Sequence, residues 1–209
     1  MKNIFKSPAL PVILLGAALW SGCATGVQNP SGTPVTELKA DEKGFVQGTG
    51  VESQDLVAVS DKMARGILAA APIATATTPP RIVLDPVINE TRFPINKNIL
   101  LDRIRAQLIA KAQGKAVFLA RERMAVLEKE RELKQSGALT SDNDPKIQEF
   151  KGADYFLTGK LSGLSSSTKG GVSDYILYTF QLIDPRTSDI IWEDSAEIKK
   201  QGTEDAAYR

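Results

Sequence analysis

Residues 154–198 read DYFLTGKLSGLSSSTKGGVSDYILYTFQLIDPRTSDIIWEDSAEI, and this stretch decides the fold. It contains three strand-like runs: Asp154–Leu164, Tyr175–Ile183 and Asp189–Ile198. Alternation in the middle run places large apolar side chains on one side of the strand: Ile176, Tyr178, Phe180 and Leu182. The connections SSSTKGGVS and DPRTSD are rich in turn-forming residues and predict two successive antiparallel hairpins. We therefore expect a three-stranded meander with one buried face.

The upstream half of the chain alternates helical and strand patterns. Apolar residues at spacings of three and four predict an amphipathic helix that Ser53 caps and that ends before Pro72. The other predicted elements are a strand over Arg81–Ile88, a helix over Asn98–Gly114, a strand over Ala116–Leu119, a helix over Arg121–Gln135 and a short helix over Pro145–Phe150. The first two strands flank a helix and should run parallel through a right-handed crossover. The prediction is an α/β (α+β) fold: a mixed sheet of about five strands with flanking helices.

The amino terminus has the pattern of a secretory signal peptide over residues 1–22. Two lysines precede the apolar run Ala9–Trp20, which would span roughly 18 Å as a helix against a hydrocarbon core of about 30 Å. The run ends in Ser-Gly before Cys23 and resembles a bacterial lipobox, with Trp20 where leucine is usual. We predict that Cys23 is the lipid attachment site. A plain secreted protein with a chance cysteine, or a short uncleaved anchor, is the alternative.

The residues after the predicted cleavage site suggest a destination and a tether. Ala24 stands where aspartate commonly retains lipoproteins in the inner membrane, so the resemblance implies lipid anchoring in the outer membrane, facing the periplasm. Residues 23–52 hold five glycines and few large apolar side chains, which predicts a lipidated flexible tether. The alternative is a loop packed along the domain, with Phe45 or Val46 as anchors. Residues 53–209 are predicted to form the globular domain.

Composition argues against most catalytic and nucleic-acid functions. The 209 residues include no histidine and one cysteine, and the formal charge is +1. The commonest general base and metal ligand is therefore missing, and neither an intrachain disulfide nor a multi-cysteine metal site can form. A near-zero net charge provides no field that would attract nucleic acid. We predict a protein that is not an enzyme, with no cofactor, metal, nucleic-acid partner or small-molecule substrate.

Carboxylates are the remaining candidates for acid–base chemistry. Asp142 and Asp144 lie in a hydrophilic loop, where a solvated turn and a helix cap explain them better than a catalytic pair does. Asp85 stands alone at the end of a strand, and one residue does not make a site. Residues 165–167 are serines with no base to activate them. A periplasmic hydrolase that uses carboxylates is thus the least favoured interpretation.

A domain without a reaction centre suggests binding, and one polar loop, Asn89–Asn96, carries residues typical of interfaces. Arginine and aromatic side chains are common anchors of protein–protein contacts. The candidate partner surface consists of Asn89, Thr91, Arg92 and Phe93. The alternative for Phe93 is that its ring folds back onto the edge of the sheet.

Five segments in order resemble the LpoB family of outer-membrane lipoproteins: VLDPVINET, NILLDRIRAQLI, FLARERMAVLEKERELKQSG, GADYFLTGKLSG and YILYTFQLIDPRTSDIIWE. The resemblance covers about residues 61–202. It implies a fold like the amino-terminal domain of TolB and the periplasmic core of the curli channel CsgG. It also implies a partner, a bifunctional penicillin-binding protein that synthesises peptidoglycan and that this protein would activate from the outer membrane. The alternative is a CsgG-like lipoprotein component of an outer-membrane assembly or secretion system.

Overall fold

The computed structural model describes residues 29–139 and 149–203. The signal peptide, Cys23, the Asp142/Asp144 pair and most of the predicted helix over 145–150 therefore lie outside the described residues. The helices are α1 (Ser53–Ala69), α2 (Ala71–Ala74), α3 (Lys97–Ala112) and α4 (Met124–Gln135), the last preceded by a 3-10 turn at Arg121–Arg123. The strands are β1 (Arg81–Leu84), β2 (Ile88–Glu90), β3 (Val117–Phe118), β4 (Tyr155–Thr168), β5 (Gly171–Ile183) and β6 (Ile190–Gly202).

The strands form one mixed sheet in the order β3-β1-β4-β5-β6, and β2 also pairs with β4. β1 runs parallel to β3 and β4, while β5 pairs antiparallel with β4 and with β6. The predicted mixed sheet, parallel first strands and antiparallel meander are confirmed. The sheet has six strands where about five were expected, because the predicted strand over Arg81–Ile88 is broken at Pro86, which has no backbone N–H to donate.

The hairpin between β4 and β5 is longer than the sequence predicts. The expected loop over residues 165–173 is strand except at Lys169 and Gly170, since Thr168 pairs directly with Gly171. Gly171 has φ +147, and a Cβ there would lie 2.7 Å from the Gly202 carbonyl oxygen, so this turn requires glycine. The prediction of a loop was wrong because serine and threonine fit an exposed part of the ladder as well as they fit a loop.

Helices α1 and α3 pack against each other over one face of the sheet. The apolar side of α1 is buried as the spacing predicts, and all four apolar side chains of the alternating middle strand are buried beneath it. The largest fully buried side chains are Tyr178, Phe180, Met63, Ile67, Ile73, Ile82, Leu100, Ile104, Leu108, Leu157, Leu161 and Leu182. These residues form one continuous core between the sheet and the two helices.

The amino-terminal cap of α1 differs from the prediction. Glu52, rather than Ser53, is the N-cap residue, and it forms a capping box with Asp55. The Asp55 carboxylate accepts the backbone N–H of Glu52 at 2.8 Å, so the acidic residue satisfies a free donor at the start of the helix. Ser53 is already inside the first turn and makes no cap.

Helix α4 lies apart from the core and has no buried residue. Its carboxyl-terminal half contacts the segment before β4, where the Arg131 guanidinium carbon lies 3.6 Å from the centroid of the Phe150 ring. Glu130 and Lys134 form an ion pair one helical turn apart, at 4.0 Å. Within the described parts of the chain, no helix combines the length and the apolar character needed to cross a bilayer.

The segment before α1 is buried against the domain at its end. Thr49 is buried, and the carbonyl oxygen of Gly50 accepts a 2.8 Å hydrogen bond from Lys200 Nζ of β6. Further upstream, Phe45 and Val46 keep 38% and 60% of their surface exposed. The extent of the tether stays a prediction. Its last residues, Thr49 and Gly50, pack against the domain near the start of β5 and the end of β6.

Candidate partner-binding surface

The loop after β2 is held together by the side chain of Asn89. Its Nδ2 donates to the Phe93 carbonyl oxygen at 2.8 Å. Its Oδ1 accepts the Thr91 backbone N–H at 3.0 Å and the Thr91 hydroxyl at 2.8 Å. Thr91 in turn lies over Gly163 of β4, where a Cβ would approach the Thr91 Cα to 3.1 Å. Two of the four residues predicted for the partner surface thus shape the loop itself.

Arg92 joins this loop to the sheet through a bidentate ion pair with Asp174 of β5. Nε lies 2.9 Å from Oδ1 and Nη2 lies 2.7 Å from Oδ2, and the carboxylate is 1% exposed. The Ser165 hydroxyl also donates to Asp174, and Arg92 Nη2 reaches Thr49 Oγ1 at 3.4 Å. The Arg92 guanidinium, with smaller help from Ser165 and Thr49, holds the pKa of Asp174 well below its usual range despite burial. This cluster connects the tether, the loop and two strands.

Phe93 is not an exposed anchor. Its side chain is 5% exposed and belongs to the hydrophobic core, with the Arg92 guanidinium carbon 4.5 Å from the ring centroid. The expectation that this ring is available to a partner was wrong, and the alternative that it folds back onto the sheet describes its position. A single aromatic in a polar loop gives no sequence signal that separates these two cases. Whether a partner contacts the rest of the loop stays a prediction.

The sheet presents a second face, opposite α1 and α3. On β4, β5 and β6 the side chains that alternate with the buried ones are half-buried or exposed. They are mixed in character and include Thr158, Lys160, Ser162, Leu164, Tyr175, Leu177, Thr179, Gln181, Glu193, Glu197 and Lys199. The strand pattern predicts such a half-solvated face, but no motif in the sequence marks it as a binding site.

Three apolar side chains form a patch on this open face. Leu164 pairs across strands with Tyr175, and Leu177 follows two residues along β5. Leu164 keeps 72% of its surface exposed. A groove of about 310 Å³ lies on the same face, lined by Ile88, Thr158, Gly159, Lys160, Ser162, Thr179 and Gln181. An apolar centre with a polar surround is the usual composition of a protein–protein interface. We call Leu164, Tyr175 and Leu177 the open-face patch.

The described residues include two of the residues considered for catalysis, Asp85 and Ser165. They include no group of three or more acidic, cysteine or histidine side chains that could bind a metal ion. The Ser165 hydroxyl donates to the buried Asp174, and the Asp85 backbone N–H donates to Leu157 O at 2.9 Å. Ser165 and Asp85, two of the residues considered for catalysis, therefore take part in structural contacts.

Fold and surface together define a class: an α+β domain that buries one face of a mixed sheet under two helices and exposes the other. A family model described as "Peptidoglycan-synthase activator LpoB" matches residues 55–198. The chain belongs to the LpoB family, as the five sequence segments predicted. Among the curated proteins, the comparison finds no match.

Several solved structures are similar to this chain. The LpoB carboxyl-terminal domain from Salmonella enterica is 16% identical, with 69% of this chain and 98% of that chain covered and a TM-score of 0.44. The corresponding Escherichia coli domain is 18% identical over 69% and 98% of the two chains, with a TM-score of 0.41. The NMR structure of E. coli LpoB is 14% identical over 97% and 94%, with a TM-score of 0.40.

Proposed function

We propose that this protein is an outer-membrane lipoprotein that binds a bifunctional penicillin-binding protein from the periplasmic side and activates its synthesis of peptidoglycan. The observation that carries the proposal is the match of residues 55–198 to the LpoB family of synthase activators. Activation by binding requires that the protein bind the active conformation of the synthase more tightly than the inactive one. The domain would supply contact energy and no chemical group.

The open-face patch is the surface that we assign to this contact. It combines exposed apolar area with a polar surround, and it adjoins the predicted loop through β2, where Glu90 and Lys160 form a 2.8 Å ion pair. Phe93 takes no direct part, since it is buried. Asn89, Thr91 and Arg92 would act by fixing the loop beside the patch.

A substitution in the open-face patch tests two hypotheses: that the protein activates the synthase, and that it does so through this patch. Leu164→Glu places a charge at the centre of the patch without disturbing the core, because the leucine is already exposed. We expect the wild-type protein to raise the glycosyltransferase and transpeptidase rates of the cognate synthase. The variant should need at least about tenfold more protein for the same effect, equivalent to about 1.4 kcal/mol of binding.

The matched control is Ile109→Glu, which changes an exposed aliphatic residue (57% exposed) on α3, away from the open face. It should activate as the wild type does. If saturating wild-type protein leaves both synthase rates unchanged, the function is wrong. If Ile109→Glu and Leu164→Glu lose activation equally, the patch is not the contact surface.

Lipid attachment is tested at Cys23. Globomycin, which inhibits signal peptidase II, should cause an unprocessed precursor to accumulate, and radiolabelled palmitate should label the wild type but not a Cys23→Ser variant. The variant should also leave the outer-membrane fraction, because acyl chains would provide the attachment. Unchanged mobility with globomycin, together with absence of label in the wild type, would favour a plain secreted protein.

A further inference from the structure

Strand β6 forms one edge of the sheet, and within residues 29–139 and 149–203 no strand pairs with its outer side. The strand is 13 residues long. Edge strands carry unpaired backbone N–H and C=O groups, to which an extended peptide can add as a further strand. A peptide can therefore add only where the outward backbone N–H and C=O groups of β6 have no hydrogen-bond partner yet.

The middle of the edge is closed by a polar cluster. The Ser195 N–H donates to Asp194 Oδ1 at 2.7 Å, and its carbonyl oxygen accepts a hydrogen bond from Lys62 of α1. Lys62 Nζ also lies 3.1 Å from Asp194 Oδ1. Because both backbone groups of Ser195 bond outside the ladder, they point away from β5. A charged lysine over an edge strand prevents unwanted pairing.

The end of the edge is open. Backbone direction alternates along an antiparallel ladder, and the register from Ser195 to Gln201 is continuous. The N–H and C=O groups of Glu197, Lys199 and Gln201 therefore also point away from β5. No group in the described parts of the chain bonds to them. The five residues 197–201 present roughly 17 Å of strand at 3.4 Å per residue.

A groove runs beside this open end. Residues 43–49 lie along its other side, and together with residues 198–203 they enclose about 720 Å³. Lys43 and Lys199 line the groove and have no ion-pair partner in the part of the chain that is described. Asp55 also lines it, but its carboxylate is bound by Lys200 Nζ at 2.5 Å. The available charge in the groove is therefore positive.

We propose that β6 from Glu197 to Gln201 binds an extended peptide segment of another protein by strand addition, with a carboxylate of that segment opposite Lys199. The backbone groups provide affinity, and the unpaired lysines select an acidic residue. A second copy of this chain fits poorly, because two-fold pairing over the open end would place Lys199 opposite its own counterpart. This inference goes beyond synthase activation and does not depend on it.

The test uses purified full-length protein and capped heptapeptides of alternating threonine and valine, with either glutamate or lysine at the centre. On addition of the glutamate peptide, NMR-detected hydrogen exchange should slow at the amides of Glu197, Lys199 and Gln201. The lysine peptide should bind about tenfold more weakly, because it places like charges opposite each other. The K199E variant should reverse this preference.

The K169E variant is the matched control, since Lys169 is an exposed turn residue outside the groove, and it should keep the wild-type preference. Three results would overturn the proposal. The first is protection of the three amides from exchange without peptide. The second is unchanged exchange with saturating glutamate peptide, and the third is equal binding of both peptides to the wild type. Dimerisation of the protein through the same amides would assign the edge to a second copy instead.

Discussion

Replacement of Arg92 by alanine should lower the free energy of unfolding by about 3 kcal/mol, because it leaves a buried carboxylate without its cation. Asp174 is 1% exposed, and the guanidinium binds both of its oxygens at 2.9 and 2.7 Å. After the substitution, Ser165 and Thr49 remain as uncharged partners and cannot compensate the charge. Urea unfolding of the wild type and the variant, followed by circular dichroism, measures the difference.

Two further variants make this prediction specific. Arg186→Ala removes a pair with the same bidentate geometry, 3.0 and 2.7 Å to Asp184, but the Arg186 side chain is 71% exposed, so its loss should cost clearly less stability than the loss of Arg92. Asp174→Ala should cost less than Arg92→Ala, since the remaining arginine, one-third exposed, can be hydrated. Equal losses for Arg92→Ala and Arg186→Ala would contradict the structural role of the buried pair.

The same pair gives stability a particular pH dependence. The pKa of Asp174 is lowered in the folded protein, chiefly by its hydrogen bonds with Arg92. Its contribution is therefore fully present above the pKa of an unfolded aspartate, about 3.9, and is lost as the pH falls through the lower folded value. The free energy of unfolding of the wild type should drop more steeply below pH 4 than that of Arg92→Ala.

Gly159→Ala should cost about 3 kcal/mol, the upper part of the range for overpacking a core. Gly159 lies on the buried face of β4 directly opposite Phe180 of β5. A Cβ at this position would lie 2.7 Å from Phe180 Cδ1 and still closer to Cε1. The phenyl ring is fully buried among core side chains, and protein interiors are close-packed, so a displaced ring would press on its neighbours. Thermal and urea unfolding should both report the loss.

Gly152→Ala is the matched control, because nothing lies within 4 Å of a Cβ at that position. It should change stability by less than about 0.5 kcal/mol. A smaller side chain at position 180 should relieve the clash with the new Cβ. The Gly159→Ala/Phe180→Leu double variant should therefore lose less stability than the sum of the two single changes. If Gly159→Ala is as stable as Gly152→Ala, the ring does not occupy the space that the glycine leaves.

Local patterns in the sequence predicted most of the architecture. The alternation in β5 identified the four core residues of the central strand, and the spacing in α1 identified its buried side. Both patterns are read from neighbouring residues, since one face of each element must be apolar to be buried. The family resemblance came from the order of five such segments and was confirmed by the match over residues 55–198.

The candidate binding surfaces depend on contacts between residues far apart in the chain. Arg92 pairs with Asp174, 82 positions away, and no local pattern distinguishes this arginine from a solvated one. The local pattern therefore predicted an exposed Arg92 and an exposed Phe93, whereas in the structure Arg92 binds Asp174 and Phe93 is buried. The role of Arg92 in binding stays a prediction. The sequence did not predict the open-face patch either, because the exposure of Leu164 depends on which elements cover the sheet.

By itself, then, the sequence determined which elements form and which of their sides are apolar, because periodicity is a local property of the chain. Only the tertiary structure decided that the Ser/Gly-rich connection extends the hairpin, that Thr49 is held at the domain, and that one end of β6 stays open. These outcomes depend on strand register and on long-range packing, where hydrogen bonds and charges find partners that sequence separation does not reveal.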